Sequence, residues 1–76
     1  MGATGRIAAL GEDARIAGFA LAGVPTVRAE TADAVRRAWA ELPSDVVLVL
    51  LTPTAAAALG DLPRGSAGRL TAVLPP

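Results

Sequence analysis

The chain has no cysteine, no histidine, no tyrosine and no lysine, and its only aromatic side chains are Phe19 and Trp39. Without cysteine there is no disulfide staple and no thiolate-bound metal. Without histidine, lysine or tyrosine the usual set of nucleophiles and proton carriers shrinks to carboxylates and hydroxyls, which weighs against an enzyme. All seven basic residues are arginine, and seven acids balance them. The nearest thing to a basic run, Arg36-Arg37, lies between Asp33 and Glu41. With neither a basic stripe nor stacking aromatics, nucleic-acid binding is set aside.

Long hydrophobic runs are lacking too. The longest strongly apolar one, Val46 to Leu51, falls far short of the roughly 18 residues a bilayer span needs. The opening MGATGRIAALG is too short and too interrupted by glycine for a secretory signal. Met1-Gly2 lacks the Ser or Thr at position six that myristoylation requires, since Arg6 stands there. The expectation is a cytoplasmic protein with no direct membrane insertion.

What is present fits one small domain, residues 1–76. A domain of this size buries only about 60% of the surface its unfolded chain exposes. The chain is organised around Gly11 to Val24, GEDARIAGFALAGV. From Ile16 to Val24 no side chain is charged or hydrogen-bonding. A helix apolar most of the way round is buried on more than one side, so either the fold wraps this segment or a partner docks on it.

Turn and cap chemistry divides the rest. Arg6 to Leu10 reads as a first strand closed by Gly11, and Glu12 and Asp13 sit at the positive start of a helix that runs to about Gly23. Thr26 to Ala29 reads as a short edge strand. Thr31 is an N-cap for a helix ending near Leu42, with Val35, Ala38, Trp39 and Leu42 on its apolar stripe. Asp33–Arg37 and Arg37–Glu41 are spaced four apart on its other face. Asp45 to Thr52 is an unbroken Val/Leu strand, the pattern of burial on both faces. Thr52 then caps a helix whose first residue is Pro53 and which stops at Gly60. Residues 60–68 read as a flexible linker, and Leu70 to Leu74 as a last strand ended by Pro75-Pro76.

Alternating strands and helices with short connections predict an α/β fold. The expected form is a small flavodoxin-like, receiver-like parallel sheet of order 2-1-3-4 with helices on both faces. The chemistry such sheets often carry is missing. A dinucleotide fingerprint fails because the glycine after Gly11 is Gly18, and a P-loop fails for want of lysine. Glu12 and Asp13 resemble the acidic pair with which receiver domains hold a divalent cation, but Thr52 stands where the phosphoacceptor aspartate belongs. The reading of Glu12 and Asp13 as a solvated pair at a helix start is the better supported.

The first two-thirds of the chain resembles the small, non-catalytic central-stalk subunit of the V-type and A-type rotary ATPases. The resemblance is carried by IAALGED (Ile7 to Asp13), by GFALAGV (Gly18, Phe19, Leu21, Ala22, Gly23 and Val24) and by VVLVLLT before a helix. It implies a part of a proton- or sodium-translocating machine, peripheral to the membrane, that docks onto the elongated coiled coil of the stalk beside other ATPase subunits. It implies no cofactor, no metal ligand and no catalytic residue in this chain. Members of that family usually continue past the last strand into a mobile helix; the sequence here ends at Pro76, and that helix's role is not carried over. The expected interface is the Gly18 to Val24 signature. Two other readings stand beside it: a receiver-like, metal-binding domain using Glu12 and Asp13, and a scaffold that self-associates through the same helix as a homo-oligomer.

Overall fold

A computed structural model describes residues 5–65 and 68–75. Among them the chain runs β1 (Arg6–Gly11), α1 (Asp13–Leu21), β2 (Thr26–Arg28), α2 (Ala32–Glu41), β3 (Val46–Leu51), α3 (Pro53–Leu59) and β4 (Leu70–Val73). All strand pairs are parallel and the sheet order is β2-β1-β3-β4, so the fold is the small flavodoxin-like α/β sheet expected. Within the stretch 60–68, Leu62–Gly65 form a 3-10 turn, and residues 66–67 and Pro76 lie outside the described residues.

The helix ends follow their local chemistry. Thr31 accepts from the Ala34 N–H at 3.0 Å and Thr52 from the Ala55 N–H at 3.2 Å, each closing an otherwise open donor in a first turn. At the end of α1, Val24 N–H bonds Phe19 C=O at 2.9 Å and Gly23 N–H bonds Ala20 C=O at 3.0 Å. This paired closure needs a left-handed residue, supplied by Gly23 at φ 88°. On α2, Asp33 pairs with Arg36 rather than Arg37. Arg36 also donates to the Ala58 carbonyl of α3 at 3.3 Å, which draws it to the side Asp33 can reach one turn away.

The main core lies on the α2/α3 side of the sheet. Ala8, Leu10, Val49 and Leu51 from the strands meet Val35 and Trp39 of α2 and Ala55 and Leu59 of α3. Val46 joins the same core although it stands an odd number of residues before Val49. The pairing explains this: Arg6 sits opposite Val46 and Ile7 opposite Leu48, so Val47 is an extra residue that restores the side-chain alternation. Trp39 is held further by the Arg69 guanidinium, 5.0 Å from its ring centroid, while Arg69 donates to the carbonyls of Val46 and Pro43, both at 3.0 Å.

Among the described residues the opposite side is covered by α1 alone, which packs over β1 and β2. Ile16 and Ala9 are buried there. The expectation that β3 is buried on both faces is corrected: Val46, Val49 and Leu51 are buried, Leu48 and Leu50 half-buried, and Val47 exposed. The reason is topological. The step from β1 to β2 puts α1 over one end of the sheet, and the later right-handed crossovers put α2 and α3 on the other face. Beside α1, the β3–β4 half of the sheet has no helix over it among the described residues.

Candidate functional site

Open α/β sheets collect ligands at the carboxyl ends of their strands. There, Thr52 ends β3 fully buried, directly against Gly11 at the end of β1. Its hydroxyl donates to Glu12 Oε1 while accepting from the Ala55 N–H. Glu12 therefore turns toward β3 rather than capping α1, and the cap is supplied from a distance: Glu30, just past β2, accepts from the Asp13 N–H at 3.0 Å.

The Thr52 hydroxyl bond is the largest influence holding the Glu12 carboxyl below its ordinary value near 4.5. Glu12's own backbone N–H, the Thr54 hydroxyl and the Arg15 charge act the same way, while burial opposes them. A carboxyl lowered by folding stabilises the fold above its unfolded pKa, and that contribution disappears as pH falls through the lowered folded value. Wild-type urea midpoints are therefore expected to fall between pH 7 and pH 3 more steeply than those of Glu12→Gln. Parallel profiles for the two proteins would show that Glu12 does not set the acid sensitivity.

This cluster is knit to itself. The position a phosphoacceptor would take is a threonine whose hydroxyl serves two bonds, and one member of the acidic pair is its acceptor. Among the described residues no three Asp, Glu, His or Cys side chains are grouped so that they could hold a metal ion. A cavity lies at the other, amino end of the strands. It measures about 220 Å³, and Ile7, Pro25, Val27, Leu42, Pro43 and Val46 line most of it. Its wall is apolar, and it sits away from the sheet edge where such folds do chemistry.

The expected interface residues divide sharply. On α1 only Ile16 is buried; Phe19, three residues on and on the same flank, is half-buried, as is Val24 beyond the helix. Gly18, Ala22 and Gly23 are exposed, and Leu21 is 92% exposed. Of the two alternatives for so apolar a helix, the first is not met: the fold does not wrap it on more than one side. Its outer face, Ala14, Ala17, Gly18 and Leu21 at helical spacing, is open. It stays open at little cost because all but Leu21 are small. A Cβ placed at Gly18 would meet nothing within 4 Å.

Sequence reasoning missed a second apolar surface. Every residue of β4 is exposed, Leu70 at 71% and Val73 at 57%. Leu70 to Leu74 read as a last strand, but the sequence held no sign of how little would cover it. No helix among the described residues is long and apolar enough to cross a membrane. No protein family, curated protein or solved structure matches this chain.

Proposed function

We propose that this chain is a non-catalytic docking component of a rotary-ATPase central stalk, cytoplasmic and peripheral to the membrane, that seats the elongated coiled coil of that stalk. The observation that carries the reading is the open outer face of α1. It is one helix wide, uncharged from Ala17 to Leu21, and ends in the protruding Leu21. Small residues let two helix axes approach to the near end of the usual 8–10 Å spacing, and a single large apolar side chain then anchors the contact. Of the Gly18–Val24 signature, Gly18 and Leu21 fall on this face, Ala22 and Gly23 on the turn that ends it, and Phe19 on the inner flank. The self-satisfied Thr52–Glu12 pair, which leaves no acceptor carboxylate at the end of β3, supports the non-catalytic part.

Leu21→Glu tests it. Leu21 contributes almost nothing to the fold, so circular dichroism and urea midpoint are expected to stay within about 0.5 kcal/mol of wild type. Co-purification with a rotary-ATPase stalk coiled coil is expected to be lost. Phe19→Glu is the contrasting variant: Phe19 is half-buried, so it is expected to lower fold stability as well as assembly. A Leu21→Glu protein that still co-purifies at wild-type yield would remove α1's outer face from the interface.

A further inference from the structure

We propose that β4 is a self-recognition edge, pairing antiparallel with β4 of a second copy about a two-fold axis at Ala72. This goes beyond the docking role, since β4 lies at the far side of the sheet from the β1–β2 half that α1 covers. The Leu74 N–H bonds the Leu51 carbonyl at 2.8 Å. Main-chain groups alternate sides along a strand, so Leu70, Ala72 and Leu74 direct theirs at β3. Thr71 and Val73 direct theirs outward, where no strand among the described residues pairs with them, a template for another strand.

The chemistry of this edge selects an uncharged strand. Residues 70–75, LTAVLP, carry no charge. Two arginines lie close to it and both are engaged: Arg69 is withdrawn onto Trp39 and the carbonyls of Val46 and Pro43, and Arg15 of α1 donates to the Pro75 carbonyl at 2.8 Å, just past the strand. The other edge differs: β2 is three residues long, contains Arg28 and is followed closely by Glu30. Short length and charge are the devices that keep sheet edges from pairing, and β2 has both while β4 has no charge.

The copy's own β4 fits this template in one register. Thr71 pairs with Val73 of the second copy, and Val73 with Thr71, each exchanging two main-chain hydrogen bonds. Ala72 then faces Ala72 at the axis with Cα atoms about 4.5 Å apart, the close spacing of a non-hydrogen-bonded pair. On the α1 side, Leu70 meets Leu74 of the second copy on either side of the small Ala72 pair. On the α2/α3 side, the register with Val49 and Leu51 puts Thr71 beside Val73. Pro75, lacking an N–H, ends the pairing. Large side chains meet large, small meet small, and the paired residues 70–74 carry no charge. The contact is one four-residue strand wide, small for specific association, so the dimer is weak and forms below about 1 mM.

Sedimentation equilibrium of the whole chain across a concentration series is expected to show monomer and dimer. Ala72 is exposed, so Ala72→Arg and Ala72→Glu should each leave the monomer folded. Each places like charges directly opposite at the axis and is expected to weaken the dimer roughly fivefold or more. Mixing the two variants is expected to restore association, since unlike charges then meet. In the wild type, amide exchange at Thr71 and Val73 is expected to slow as concentration rises. A wild-type chain that stays monomeric to about 1 mM, with exchange at Thr71 and Val73 independent of concentration, overturns the proposal and leaves the edge to a foreign strand. So does a dimer that ignores both Ala72 variants and is lost in Leu21→Glu, which would place self-association on α1 instead.

Discussion

Trp39→Ala is expected to cost about 3–5 kcal/mol of folding stability, the range for emptying a large aromatic site in a core. Total stability at about 0.05–0.15 kcal/mol per residue is only roughly 4–11 kcal/mol for a chain this long, so the variant sits at the edge of unfolding at 25 °C. Trp39 is 6% exposed and belongs, with Val35, to the part of α2 buried in one core with the strand residues Leu10, Val46 and Val49. It is also the platform on which Arg69 rests. Its loss therefore leaves a void and loosens the residue that ties the start of β4 to the carbonyls of Pro43 and Val46. Urea denaturation followed by far-ultraviolet circular dichroism reads this directly. At a slope near 1 kcal/mol per M, the midpoint should fall by roughly 3 M or more. A shift under about 1 M would mean that Trp39 fills space the neighbouring side chains can close over.

Gly11→Ala is expected to cost about 2–4 kcal/mol by forcing apart the carboxyl ends of β1 and β3. A Cβ at Gly11 would lie 2.3 Å from Thr52 Cγ2 and 2.5 Å from Thr52 Oγ1. Thr52 cannot step aside freely, because it is fully buried and its hydroxyl both caps α3 and bonds Glu12. Overpacking of this kind costs about 1–3 kcal/mol, and loss of a cap or a buried hydrogen bond adds about 1 kcal/mol. Residues in contact couple, so Gly11→Ala should cost less when Thr52 is already alanine. Gly11→Ala should also flatten the acid sensitivity attributed to Glu12. Additive effects in the double variant would show that the ends of the two strands are not packed as described.

How much of this could be read from the chain varies with how local the cause is. Thr31, Thr52, Pro53, Gly23 and Gly60 act within one turn of themselves, and they set the helix limits as cap chemistry says. The sheet order followed from the alternation of elements and the apolarity of β1 and β3. What was not legible depends on residues far apart. Glu30 caps α1 from seventeen positions away, and Thr52 meets Glu12 from forty. Neither pairing exists until the strand ends align. The bulge at Val47 left no glycine or proline marker, because a valine fills the extra position. The unbroken Val/Leu run of β3 spoke for burial on both faces, yet coverage depends on where helices fall, and the α1 side of β3 is only partly covered. In the candidate site, the signature GFALAGV was visible as a run, but its division into half-buried Phe19 and protruding Leu21 required the helix to be set against the sheet.

The central claim is that the outer face of α1 is where a helical partner sits. Amide and methyl NMR spectra of the labelled chain, recorded while a rotary-ATPase stalk coiled coil is titrated in, test it most directly. Saturable shifts are predicted at Ala14, Ala17, Gly18, Leu21 and Ala22, with the carboxyl-edge residues Glu12 and Thr52 and the buried core at Leu10 and Val49 little changed. A spectrum that stays unmoved through the titration, or shifts confined to α2 and α3, would contradict it.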